Sequence, residues 1–131
     1  MRQMIQKFVY ELLKANLTVP IFDYVPDDED NFPFVVIGED TVKEWGDDED
    51  RESGEITVGI SVWSRYSGKK ELKSLMESIC LILDLHDTEV YGYNIVVMYN
   101  EFSGTALNSD GITRNGLLRF RVLVEEADTL S

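Results

Sequence analysis

Little in this chain is equipped to react. Its 131 residues hold one cysteine, Cys80, and one histidine, His86. A lone cysteine excludes an internal disulfide and fits a reducing compartment. Any Ser-His or Cys-His mechanism would have to run through His86 alone, and His86 falls in a polar stretch. The sequence has no glycine-rich phosphate loop, no cysteine pair and no His-Glu metal pattern. It has no apolar run near the roughly 20 residues that span a bilayer. Residues 1–7 mix polar and apolar side chains, unlike the unbroken apolar core of a secretory leader, which predicts a protein made and kept in a cytoplasm. Positive charge is scarce too: 12 Lys and Arg stand against 25 Asp and Glu, a net −13. Such a charge repels phosphates, which argues against non-specific nucleic-acid binding and against anionic membranes. The expected partners are proteins, and no catalytic residue, cofactor or metal is assigned.

What is present describes one domain. Apolar residues make up 44% and charged residues 28%, ordinary for a folded chain of this length. The acids are bunched: 14 of the 25 lie between Asp23 and Glu55, where Lys43 and Arg51 are the only bases. Calcium-loop spacing fails on both acidic runs. Counted from Asp47, the fifth and sixth positions are Arg51 and Glu52; counted from Asp28, the sixth is Pro33. A solvated loop is the better reading of each.

The clearest local pattern spans residues 55–85. Ile56, Val58, Ile60 and Val62 alternate with Glu55, Thr57, Gly59, Ser61 and Trp63, the period of a strand with one buried face. After a turn at Ser67-Gly68, residues Leu72, Leu75, Met76, Ile79, Cys80 and Leu83 form one apolar helical stripe, with Ser67 as the expected N-cap. Cys80 on that stripe reads as an inert thiol. Upstream, Met4, Ile5, Phe8, Val9, Leu12 and Leu13 predict a first helix over 3–15, stopped by Asn16. Pro20 and Pro26 bracket an extended segment that belongs at a sheet edge or outside the sheet. Phe32 to Gly38 opens a strand reaching about Trp45, and residues 46–54 form an acidic, self-repelling hairpin tip. Residues 84–89 read as a polar loop, followed by a strand from about Tyr91 to Phe102. Asn108-Ser109-Asp110-Gly111 is a turn, and a last strand runs from about Ile112 to Val124, with a bulge at Asn115-Gly116 and a frayed end from Glu125. The expected fold is α+β: a mainly antiparallel sheet of about four to five strands with two helices packed on one face, in the order α-β-β-β-α-β-β.

With no chemistry to place, the outward faces become the candidates. Trp63 lies on the strand face away from the core and is followed by Arg65 and Tyr66; Arg119 and Arg121 point the same way on the last strand. Trp, Tyr and Arg are the residues enriched at interface hot spots. Paired with an acidic arm at Asp47, Asp48, Glu49 and Asp50, they suggest head-to-tail contacts between copies, which close into rings when the rotation allows. The alternative is that Trp63 packs under its own chain and the arginines are ordinary solvated strand residues.

Several segments, taken together and in order, carry a resemblance. They are Phe22-Asp23-Tyr24-Val25-Pro26; Phe32-Pro33-Phe34-Val35-Val36-Ile37-Gly38-Glu39; Val62-Trp63-Ser64 with Gly68-Lys69-Lys70-Glu71; and Ser109-Asp110-Gly111 with Leu118-Arg119-Phe120-Arg121. The chain resembles the small tail-completion or tail-terminator (tail-to-head joining) proteins of long-tailed bacteriophages and prophages. It departs from them in the lengthened acidic tip and at Arg114-Asn115, where an aromatic residue and a histidine are more usual.

The resemblance implies a structural protein without enzymatic activity. It implies a ring, usually a hexamer, that caps the tail tube, stops its growth and meets the head connector, with the tube protein and the connector or stopper as partners. It also implies assembly in the host cytoplasm and a final place at the head–tail junction of the virion. The rival reading is an acidic DNA mimic that inhibits a nucleic-acid-binding protein; mimicry needs carboxylates spread at phosphate-like intervals, whereas these are bunched.

Overall fold

Ile56, Val58, Ile60 and Val62 are fully buried, and the odd-numbered residues between them are half-exposed. That alternation is the backbone of the architecture seen in the computed structural model, which describes residues 2–27, 31–44 and 53–127 and leaves aside the Glu39 and Glu44 side chains. The elements are α1 (Arg2–Asn16), β1 (Ile21–Phe22), β2 (Phe34–Glu44), β3 (Ser53–Ser64), α2 (Lys70–Ile82), β4 (Leu85–Val90), β5 (Tyr93–Leu107) and β6 (Arg114–Glu126). The strands form a single sheet in the order β1-β2-β3-β6-β5-β4. Only the short β1–β2 pairing is parallel; the others are antiparallel.

Both helices cover the same face. Ile5, Val9 and Leu13 of α1, Leu72 and Ile79 of α2 and Leu83 at its C-cap enter one core with the even-numbered residues of β3 and β6. Burying these side chains is worth roughly 1.5–3 kcal/mol each before entropy is counted. On β2, Val35 and Ile37 join that core, and a register shift between Ile37 and Asp40 then turns Asp40 toward α1. There its carboxylate receives Arg2 Nε and Gln6 Nε2, each at 3.0 Å.

The α+β class and the helices on one face agree with the sequence, while the strand count and order need correcting. Among the described residues there are six strands, and the order gains one after α2. Residues expected as a polar loop, 84–89, instead contribute most of β4, whose partner is β5. The strand is legible only in hindsight. His86, Asp87 and Glu89 are exposed, as suits an edge, and Asp87 interrupts the alternation with φ 46°. Its hairpin turn is Tyr91-Gly92, with φ 50° and 81°, the mirror-image geometry that fits strand twist and normally selects Asn-Gly. Tyr91 is held there by α1: its hydroxyl donates to Glu11, and Lys7 Nζ sits 4.6 Å above its ring.

Three smaller expectations also change. Helix α2 starts at Lys70 with Lys69 as an N-cap that makes no side-chain bond, so Ser67 does not cap it. The polar partner of that first turn is Ser64, whose buried hydroxyl donates to Glu71 Oε1 at 2.7 Å and accepts Tyr66 N–H at 3.2 Å. Asn115 and Gly116 pair in unbroken register with both neighbours, so there is no bulge there. Glu125 and Glu126 belong to β6, and Ala127 N–H donates to Gly92 O at 2.8 Å, so the strand is ordered beyond Val124.

Candidate protein interface

The sheet face away from the helices is built by odd-numbered residues of β3 and β6. Cross-strand partners share a face, so Trp63 beside Asn115, Gly59 beside Arg119 and Thr57 beside Arg121 place Trp63, Arg119 and Arg121 on it together. No helix covers this face among the described residues.

At one corner the face closes on itself through aromatic rings. Phe34 is 1% exposed and lies at the centre. Trp63 stacks on it at 5.9 Å and 13°, Phe22 meets it edge-on at 5.9 Å, and Phe32 does so at 5.0 Å. Trp63 therefore packs within its own chain as a half-buried side chain, its indole Nε1–H without a hydrogen-bond partner. Such ring pairs contribute roughly 0.5–1.5 kcal/mol beyond burial. Arg65 extends the cluster outward: its guanidinium lies 4.4 Å above the Phe32 ring, and Nε donates to Thr113 Oγ1 at 3.1 Å. Tyr66, next to it, is 52% exposed.

The two arginines of β6 differ. Arg121 Nε lies 2.8 Å from Glu55 Oε1 and 3.0 Å from Glu101 Oε2, so its charge is matched within the sheet. Arg119 is exposed, its guanidinium 5.0 Å above Phe102. Around them Tyr99, Phe102 and Leu117 are exposed large apolar residues. The acidic residues named with them, Asp47, Asp48, Glu49 and Asp50, lie outside the described residues.

Beside this face, the turn joining β5 and β6 is tightly bonded. Asp110 Oδ1 accepts Ile112 N–H at 2.9 Å and Thr113 N–H at 2.8 Å, and Oδ2 accepts the Thr113 hydroxyl at 2.6 Å. Those bonds, the Thr113 hydroxyl first, hold the Asp110 carboxyl at about 2, below the ordinary carboxylate range. The turn thereby fixes Thr113, and Thr113 fixes Arg65.

Charge is sorted along the strands. Arg114 opens β6 opposite Ser64, the last residue of β3, so Arg65, Lys69, Lys70 and Arg114 gather at one end of the sheet. Glu125, opposite Ser53, and Glu126, opposite Tyr93, lie at the other end beside Glu55 and Lys43.

The reactive inventory is slight. Cys80 is half-buried, and burial first, then the nearby Glu77 carboxylate, push its thiol up, away from the thiolate form. His86 Nε2 stands 3.8 Å from Asp84 Oδ1 at the surface. Among the described residues no group of three His, Cys, Asp or Glu side chains is placed to hold a metal ion, and no helix is long and apolar enough to cross a membrane.

Comparison with known proteins gives the chain a family. No curated protein matches it. Among solved structures, it is similar to a chain described as "Virion of native gene transfer agent (GTA) particle", with a TM-score of 0.77 and 20% identity over 89% of this chain and 91% of that one; at that identity the likeness is one of fold. A family model described as "Tail completion protein gp17" matches residues 9–125. The chain belongs to this family of tail completion proteins, structural components of bacteriophage virion assembly.

Proposed function

We propose that the protein closes into a ring, most simply a hexamer, on the end of a bacteriophage tail tube, stops tube growth and presents the surface that receives the head connector. Assembly takes place in the host cytoplasm, and the finished ring sits at the head–tail junction. The observation that carries this reading is the family match over nearly the whole chain, joined to exposed Tyr66 and Arg119 at a sheet face that no helix covers among the described residues.

The interface residues take distinct roles in this proposal. Arg65, Tyr66 and Arg119 make the contacts, Trp63 stiffens the surface from beneath, and Arg121 stays committed to Glu55 and Glu101. Asp47, Asp48, Glu49 and Asp50 of an adjacent copy supply the opposing charge. The net −13 keeps free copies apart, and docking on the tube provides the contacts that offset like-charge repulsion. The test is negative-stain imaging of tail tubes with and without the purified protein. A ring is expected at one tube end, and particles lacking the protein are expected to carry tubes of irregular length and unattached heads. Normal tubes joined to filled heads in its absence would refute the proposal.

A further inference from the structure

The sheet has one edge that is neither paired nor charged. Strand β4 pairs with β5 only over residues 93–98 of β5, while β6 pairs with β5 as far as Leu107. From residue 99 to 107 the other side of β5 has no strand against it among the described residues. Natural edges are usually blunted by charge, proline or a bulge. A bulge does stand at the start of this one, clasped by Asn100, whose amide donates to Phe102 O at 2.9 Å and Arg119 O at 3.2 Å. Beyond it, Phe102-Ser103-Gly104-Thr105-Ala106-Leu107 carries no charge and no proline. The outer strand β4 is protected by His86, Asp87 and Glu89.

An apolar groove of about 610 Å³ runs beside this bare edge, between Met76, Cys80 and Leu81 of α2 and Ser103, Gly104 and Thr105 of β5. A second, smaller hollow shares Thr105 with it and is lined by Leu107, Lys69 and Arg114. Leu81 is 79% exposed at its rim. The charged rim is Lys69, Lys73 and Arg114 against a single acid, Glu77, a basic border in an acidic protein.

We propose that this groove, beside the bare edge, receives residues 23–27 of a second copy. That segment carries what the groove lacks. Tyr24 and Val25 are 62% and 56% exposed, two adjacent apolar side chains, and Asp23 and Asp27 flank them with negative charge. It follows β1, at the opposite end of the strand order from β4 and β5. Each copy therefore offers the segment on one side and the groove on the other. Contacts of that kind are heterologous and propagate until the rotation closes them. The segment bends at Asp23, Tyr24 and Asp27, and Pro26 brings no N–H, so side chains seated in the groove and charge pairing, not a strand ladder, hold it. Here Val25 or Tyr24 fills the groove, and Asp23 and Asp27 meet Lys69, Lys73 or Arg114. The inference rests on the ring reading and adds where neighbours touch.

The experiment uses the full chain, because Cys80 already lines the groove and is the sole cysteine. Val25→Cys places a second thiol on the donor segment. A short bismaleimide applied to rings on tail tubes is expected to give a ladder of linked chains, reduced to nothing in V25C combined with Cys80→Ser. Rings that form on tubes without linkage would place the contact elsewhere and overturn this inference alone. Two-chain products that survive C80S would mean a like-with-like contact and overturn it as well. If no ring forms on tubes at all, the ring reading falls too. As a second measurement, Leu81→Glu is expected to leave the melting temperature unchanged and lower ring formation on tail tubes at least tenfold; unchanged ring formation overturns the inference.

Discussion

Gly116 of β6 lies directly beneath Met76 of α2: a β-carbon at Gly116 would stand 2.5 Å from the Met76 sulfur and 3.2 Å from Leu72 Cδ1. The missing side chain is what lets the helix settle onto the sheet beside Leu118 and Phe120. Gly116→Val is expected to cost about 1–3 kcal/mol, the usual cost of overpacking, and to lower the melting temperature by several degrees. Adding Met76→Ala should recover part of that loss, because the two changes relieve one clash. A double-mutant cycle by thermal melts measures it, and strictly additive losses would disprove the close approach.

The same residue shows what the sequence could and could not convey. Asn115-Gly116 has the composition of a bulge, but the need for glycine comes from a helix more than 30 positions upstream in the chain, which no local window contains. The β3 alternation and the α2 stripe were legible because burial against a single partner imposes a period directly. Strand β4 was not, because an edge strand that shows His86, Asp87 and Glu89 to water has the composition of a loop, and its pairing is imposed by β5 and a Tyr91-Gly92 turn. For the interface, the chain order placed Trp63, Arg119 and Arg121 on one face, which the register reproduces. That Phe34 occupies one side of Trp63, and Glu55 and Glu101 the charge of Arg121, depends on contacts between distant segments.

Asp110 gives a pH dependence with a definite sign. Its carboxyl is held at about 2, below the ordinary value of about 3.9, by bonds that need the ionised form. A depressed carboxylate contributes stability that is present above the unfolded value and lost as pH falls through the folded one. Protection of the Ile112 and Thr113 amides against hydrogen exchange should therefore hold down to about pH 4 and decline toward about pH 2. Asp110→Ala should weaken that protection at neutral pH and remove its acid dependence. A turn equally protected in both proteins at pH 7 would contradict the assignment.

The hairpin turn makes a separate prediction. Gly92 has φ 81°, so Gly92→Ala forces a side chain into left-handed backbone at a cost of about 1–2 kcal/mol. At Tyr91, φ 50°, asparagine suits the backbone better but forfeits the bond to Glu11 and the contact with Lys7. Tyr91→Asn is thus expected to lose less than G92A in chemical denaturation. A larger loss for Y91N would mean that the α1 contacts, and not the turn geometry, hold β4 in place.

Fold and interface can be separated on the uncovered sheet face, because its residues differ in burial. Phe34, 1% exposed among the rings of Phe22, Phe32 and Trp63, belongs to the fold: Phe34→Ala should cost about 3–5 kcal/mol and abolish ring formation with the fold. Tyr66 and Arg119 are exposed, and surface changes of that kind usually move stability by no more than about 0.5 kcal/mol. Tyr66→Ser with Arg119→Glu should therefore melt like the parent protein. If these residues meet an acidic neighbour, the reversed charge opposes the contact in addition to removing it. Ring formation on tail tubes, scored by negative stain at matched protein concentration, should then fall at least tenfold. Raising the salt should narrow the difference, since screening weakens the introduced repulsion as well as the lost attraction. A double variant that caps tubes as well as the parent would remove Tyr66 and Arg119 from the interface and leave the groove beside the open β5 edge to carry the contact.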